Sequence, residues 1–256
     1  MQTTPKPILV ANWKSHGNLK ENKIWVEHFL AKPPCEGMDI VVCPPFPYIH
    51  QLCELCEGTA VAVGAQNVSS YEQGAYTGEV SAKMLRDLGC LYVIIGHSER
   101  RSLYAEDDKQ LMQKLQRAID CGLIPIFCVG ETLQQRENSQ TQEVLNRQLS
   151  AVASFLKGAP FVLAYEPIWA IGSGRTATPE QAQQAHGFLC ECLSVGLGVE
   201  ATEYRVIYGG SVKSDNAKAL FAEHDVGGGL VGGASLQAED FLQICKALEE
   251  TKIQIN

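Results

Sequence analysis

Residues 8–17 read ILVANWKSHG, an apolar run that ends in Asn12, Trp13 and Lys14 rather than in glycines. Consecutive aliphatic side chains suit a strand covered on both faces, as in a parallel sheet. A doubly wound open sheet would carry a glycine-rich dinucleotide turn directly after such a strand, and that place holds NWKSHG. Working outward, seven further runs share this character: DIVVCP (39–44), AVAVGA (60–65), LYVIIG (91–96), LIPIFCVG (123–130), FVLAYE (161–166), YRVIYG (204–209) and VGGGLVGG (226–233). Between them, segments such as 18–31, 105–121, 132–157, 179–196 and 239–250 have helical spacing. The sequence TPEQAQQ (178–184) opens one of these with Thr178 as N-cap and Pro179 in the first turn. Strand and helix alternate eight times with no Pro/Ser-rich linker, which predicts an α/β fold: a single (β/α)8 barrel domain over residues 1–256.

Composition narrows the function. The chain is 45% hydrophobic and 20% charged, enough apolar mass for one large core, and no run is long enough to span a bilayer. A net charge of −8 without a basic block argues against nucleic acid or an acidic membrane surface as partner. A small anion must then be held locally, by backbone N–H groups and helix ends. The start, MQTTPKPILVANWK, has neither the apolar core nor the cleavage site of a signal peptide. The ten cysteines are irregularly spaced, so reduced thiols and a cytoplasmic location are expected. Cys53 and Cys56 form a CELC pair on a predicted helix, but no second CxxC accompanies it, and no metal site is expected. Cys190 and Cys192 fall on different sides of a predicted helix, which also argues against a shared site.

In such a barrel, chemistry belongs just beyond the C-terminal ends of the strands. Those positions hold Asn12, Lys14, Gln66, Asn67, His97, Ser98, Glu99, Glu131, Glu166, Ser211, Gly232 and Gly233. Glu166 has no cation within five residues and is followed by PIWAIGSG, an apolar flap ending in glycines. Desolvation by the flap would raise the basicity of this carboxylate, as a general base requires. His97 precedes a short predicted helix starting near Ser98. A helix N-terminus disfavours imidazolium, leaving a neutral ring able to donate to an oxyanion. Lys14 can offer its charge to an anionic substrate with Glu99 as partner, and Asn12 is expected on the same side of the strand. Arg100 and Arg101 are assigned structural ion pairs with acids such as Glu131. The glycine-rich YGGSV (208–212) and GGLVGGAS (228–235) follow the last two strands and are read together as a phosphate cradle.

The blocks NWK, GAYTGE, GHSERR, AYEPIWAIGSG, YGGSV and LVGGAS occur in this order, and from about residue 8 to 250 the sequence closely resembles the triosephosphate isomerases. The resemblance implies interconversion of dihydroxyacetone phosphate and D-glyceraldehyde 3-phosphate with no metal or organic cofactor. Glu166 would move a carbon-bound proton, neutral His97 would donate to the cis-enediolate, and Lys14 and Asn12 would stabilise its charge. Backbone N–H groups of Gly172, Ser211 and Gly233, with Gly232 nearby, would hold the phosphate. Residues 167–177 would form a lid hinged at Pro167 and at 172–174, with Trp169 and Ile171 shedding water and Tyr208 and Ser211 latching it. It also implies a homodimer in which the loop 67–80, with Thr77 and Glu79, docks beside the partner's Asn12 and Lys14.

Three departures from the family pattern stand out. Ser15 and His16 replace a usual Met-Asn, which predicts a retuned, pH-sensitive dimer. Cys190 and Gly227 stand where an Arg–Asp pair is frequent, and their joint absence predicts packing rather than a vacancy. Ser173 and Arg175 are mild changes in the lid. Two rival readings remain at this stage. An aldolase-type lyase would need a Schiff-base lysine inside the barrel, and none lies in runs two to eight. A non-catalytic derivative kept as a binding protein would have lost at least one of Asn12, Lys14, His97 and Glu166, and all are present.

Overall fold

The computed structural model describes residues 5–32, 37–172, 175–200 and 204–253. Eight strands, β1 (Ile8–Asn12), β2 (Asp39–Cys43), β3 (Val61–Ala65), β4 (Tyr92–Ile95), β5 (Ile124–Val129), β6 (Phe161–Tyr165), β7 (Tyr204–Tyr208) and β8 (Gly228–Val231), form a closed barrel in sequence order. Every neighbouring pair is parallel, and β1 bonds both ways, with Ile8 opposite Asp39 on β2 and Gly228 on β8. Closure leaves no unpaired edge.

Strand residues alternate between two apolar layers because successive side chains point to opposite faces of a sheet. Ile8, Val10, Val41, Cys43, Ile94, Ile126, Cys128, Val162, Ala164, Ile207 and Leu230 fill the barrel interior. Their neighbours Leu9, Ala11, Ile40, Val42, Val93, Phe127, Leu163 and Val206 pack outward against helix residues such as Phe29, Leu52, Leu115, Leu189, Leu220 and Phe241. Both faces of each strand are therefore dry, which is why the runs read as continuously apolar.

Each strand lies inside its expected run, shortened by one to four residues. The helix expected over 132–157 is three pieces, Leu133–Glu137, Thr141–Ser150 and Ala153–Leu156. Asn138 caps the first, and Ser139 at φ +58 lies in the left-handed region, which no helix continues through. The segment 179–196 is α-helical only over Pro179–Glu191 and ends in a π turn, Cys192–Gly196. Thr178 does cap it, accepting from the Gln181 amide in a full capping box with Pro179 in the first turn. The Cys190/Gly227 region is close-packed at Gly227, where a Cβ would sit 3.1 Å from the Val206 carbonyl oxygen. Among the described residues, no helix is long and apolar enough to cross a membrane.

Candidate active site

A cavity of about 620 Å³ opens at the C-terminal end of the barrel, lined by Asn12, Lys14, His97, Ile171, Gly172, Gly209, Gly210, Ser211, Gly232 and Gly233 among others. Of the residues singled out, Asn12, Lys14, His97, Ser211, Gly232 and Gly233 line it, Glu166 lies behind His97 rather than in the lining, and Gln66, Asn67 and Glu99 line a neighbouring cavity. Ser173 and Gly174 lie outside the described residues. Among the described residues, no group of three or more His, Cys, Asp or Glu side chains could hold a metal ion.

Glu166 follows β6 directly and is 2% exposed. Its Oε2 accepts from the Ser98 amide at 2.8 Å, while Oε1, 3.1 Å from His97 Nε2, makes no hydrogen bond of good geometry. The nearby strand β7 ends in a residue that must be small: a Cβ on Gly209 would lie 2.8 Å from Glu166 Cγ. The Cys128 thiol lies below, its pKa raised by burial and then by the Glu166 charge. Among the described residues, no lysine or arginine pairs with this carboxylate.

His97 is the N-cap of the helix Ser98–Leu103, and its Nδ1 accepts from the Glu99 amide at 3.2 Å. An accepting Nδ1 carries no proton, so the neutral ring presents Nε2–H toward Glu166 and the cavity. Lys14 Nζ sits 2.5 Å from Glu99 Oε1, the pairing expected from the sequence. The route by which Lys14 reaches the cavity differs from the expectation. β1 ends at Asn12, and Lys14 adopts φ +51, outside the strand. That costly conformation is held by Asn12 Oδ1, which accepts the Lys14 amide, and by Gln66 Nε2, which donates to the carbonyls of Lys14 and Cys43.

The acid–arginine pairing was assigned to the wrong partners. Glu131 pairs with Arg136, whereas Arg100 pairs with Glu106 and Arg101 with Asp108. Linear order hides this, because the short turn after β5 brings Arg136 back over Glu131. Tyr165 Oη and Trp169 Nε1 also donate to Glu131 Oε1, at 3.1 and 3.0 Å. Burial, and then the Glu131 charge, push the Tyr165 phenol well up. The flap is tied down through the same group, since Arg136 stacks 4.7 Å over the Trp169 ring. Ser211 Oγ donates to the Ala170 carbonyl at 2.6 Å, as expected of a latch. The Tyr208 hydroxyl makes no hydrogen bond of good geometry, and burial pushes its pKa up to about 12 against the pull of the Ala177 amide.

One group escaped the sequence reading. Lys114, 5% exposed, donates to Asn67 Oδ1 at 2.7 Å and pairs with Glu106, which also accepts from Arg100. Burial pulls the Lys114 pKa down against the opposing pull of Glu106. This network braces the base of the 67–80 loop. The signal for it is its spacing: with Leu111, Leu115 and Ala118 it lies on the buried stripe of the helix Asp108–Asp120.

Comparison with known proteins agrees with this geometry. The family model described as triosephosphate isomerase matches residues 7–248. A triosephosphate isomerase of Xanthomonas euvesicatoria is 51% identical over 245 residues, covering 94% of this chain and 98% of its own. That of Bordetella pertussis is 49% identical over 242 residues (94% and 96%), and that of Hahella chejuensis 48% over 248 (96% and 99%).

Proposed function

The chain belongs to the triosephosphate isomerase family, and from that premise we propose how its own residues interconvert dihydroxyacetone phosphate and D-glyceraldehyde 3-phosphate. Glu166 is the base. It removes a proton from the carbon next to the carbonyl, the C–H electrons form the enediolate double bond, and the same carboxyl returns a proton to the adjacent carbon. To reach that carbon it must leave the Ser98 amide, its partner in the present arrangement.

His97 donates from Nε2 to the oxygen on which charge develops. A neutral donor matches this task, because an imidazolium beside Glu166 would pair with the base and weaken it. The observation that carries the reading is the Glu99 amide bonded to Nδ1, which leaves the proton on the nitrogen facing Glu166. Lys14, paired with Glu99, and Asn12 stabilise the enediolate. The amides of Gly172, Ser211 and Gly233, with Gly232 beside them, hold the phosphate; without side chains on the glycines, a phosphate oxygen can approach the backbone closely. Proton transfer between two carbons through one side chain needs neither metal nor organic cofactor. Closure of 167–177 excludes water, which strengthens each electrostatic contact and protects the enediolate from losing phosphate.

A homodimer completes the proposal. Residues 71–79 are all exposed, and Tyr71 and Tyr76 stack at 3.6 Å between ring centroids in full view of solvent. A cavity of about 550 Å³ lined by Lys14, Ser15, His16, Phe46, Gln66 and Tyr104 would receive this loop from a second copy, with Thr77 near the partner's Asn12 and Lys14. His16 Nδ1 lies 3.0 Å from the Trp13 carbonyl oxygen, which fixes the ring in this receiving surface. The single-domain reading and a cytoplasmic location belong to the same proposal.

The test is a coupled assay of glyceraldehyde 3-phosphate isomerisation, with Glu166→Asp alongside. Shortening the side chain by one methylene should cut kcat by about 100-fold or more while KM changes little. Light scattering should give the mass of two chains, and replacing 71–78 by a short glycine linker should give monomers with little activity. Equal kcat in the parent and Glu166→Asp would remove Glu166 as base.

A further inference from the structure

The CELC motif and the remaining cysteines play no part in the chemistry above, yet the fold brings two of them together. Cys53 lies in the helix Ile49–Cys56, and Cys90 lies in the turn that leads from the helix Ala82–Asp87 into β4. The turn that carries Cys90 packs directly on the Cys53 side chain. Gly89 makes this approach possible. A Cβ there would sit 3.4 Å from Cys53 Sγ and 3.7 Å from Cys53 Cβ, on a residue whose φ is +98. A larger residue would be strained at that φ and would crowd the Cys53 sulfur.

Cys90 is fully buried and rigidly placed. Its amide donates to the Leu85 carbonyl at 3.0 Å, and Arg86 Nη1 donates to its carbonyl at 2.7 Å. Cys53 is only partly buried. Cys53 is thus the nearer of the two to solvent and Cys90 lies behind it, the order of an attacking and a resolving thiol.

We propose that Cys53 and Cys90 are a two-cysteine modification site that hydrogen peroxide oxidises to an intramolecular disulfide. The Cys53 thiolate attacks one peroxide oxygen, the O–O bond breaks, and Cys53 becomes a sulfenic acid as hydroxide leaves and is protonated to water. The Cys90 sulfur then attacks the Cys53 sulfur, the S–O bond breaks, and the Cys90 proton leaves with the hydroxyl as a second water. Two thiols and one peroxide give one disulfide and two waters, with two electrons passing from sulfur to oxygen. The division of labour agrees with the thiol acidities. Cys53 is lowered by the neighbouring Cys90 thiol, whereas Cys53 in turn and burial raise Cys90 strongly. Burial also pushes Cys56, one helical turn from Cys53, up to about 11, which leaves it the poorer nucleophile. The cross-link would close a segment that contains β3 and the 67–80 loop, tying the two ends of the proposed dimer contact together.

The experiment exposes the reduced full-length protein to hydrogen peroxide, alkylates the remaining thiols after unfolding, and locates the linkage by fragmenting the peptides in a mass spectrometer. The expected result is a Cys53–Cys90 cross-linked peptide, lighter than the two free peptides by about 2 Da and restored by dithiothreitol. Cys53→Ser, checked for folding by its isomerase activity, should leave Cys90 fully alkylated. Linkage of Cys53 to Cys56, a sulfinic Cys53 with Cys90 still free, or a Cys53 that peroxide leaves untouched would each overturn the proposal. Because the parent protein itself yields the linkage, the result does not depend on any variant folding.

Discussion

Glu131 and Glu166 stand just past the ends of adjacent strands, β5 and β6, and water reaches neither: they are 0% and 2% exposed. Each keeps one carboxylate oxygen without a hydrogen-bond partner, Oε2 of Glu131 and Oε1 of Glu166, but the groups around the other oxygen differ. Glu131 has a cation, Arg136, and accepts from Tyr165 and Trp169, so its charge is neutralised and its position fixed. Glu166 has one amide donor and a neutral histidine, and an oxygen left without a good hydrogen bond. Burial alone therefore does not make a base. A buried carboxylate that accepts from a cation and two further donors holds a structure together, whereas one held by a single amide beside the cavity is free to turn toward a ligand.

The same substitution at both sites is the sharpest way to break this comparison. Glu166→Gln should lower kcat by about 10³-fold or more, since it removes the proton acceptor outright. Glu131→Gln should leave kcat within about tenfold, because no reacting atom touches it. Equal losses measured by steady-state kinetics would erase the distinction.

Acid should find the anchored side of the site next. His186 is fully buried, packs edge-on against Tyr165 at 5.9 Å, and burial pulls its pKa down to about 4 from 6.5. Its folded pKa lies below its unfolded one, so the unfolded chain takes up the proton first. The contribution is intact above pH 6.5 and is lost as pH falls from 6.5 to about 4. Denaturant titrations should show this as a loss of about 3 kcal/mol, and His186→Gln should flatten that part of the profile.

Stability separates the carboxylates a third time. Glu131→Gln leaves Arg136 without its buried counter-charge, and since the arginine is about a quarter exposed the expected cost is about 2 kcal/mol in a urea midpoint analysis. The smallest effect is expected from Trp169→Phe, which removes one donor to Glu131 and keeps a ring for Arg136 to stack on. About 1 kcal/mol is at stake, enough to loosen the flap to limited proteolysis without a large change in turnover.

Legibility along the chain followed locality. Thr178 and Pro179, the eight strand runs and the polar residues after them could be read because their causes lie within a few neighbours. The helix over 132–157 misled because a helical period persists through Asn138 and Ser139, and only the left-handed Ser139 shows the break. Arg100 was matched to Glu131 because sequence separation says nothing about which turn folds back, and Arg136 did so. Spacing alone puts Lys114 on the buried stripe of its helix, but its partners become visible only once Glu106, from the turn before that helix, and Asn67, from another strand end, meet it.

The sequence by itself determined a barrel, since runs dry on both faces in eightfold alternation admit few other packings. It also determined which side chains stand at the barrel mouth, since chain direction places every strand's C-terminal end on one face. Only the tertiary structure decided which carboxylate is paired with an arginine and which rests on a backbone amide beside the cavity. It likewise decided which imidazole nitrogen accepts a backbone amide and which of the nine described cysteines lie together. Those outcomes depend on distances of about 3 Å between residues far apart in the chain, and at that range a single donor changes what a buried group can do.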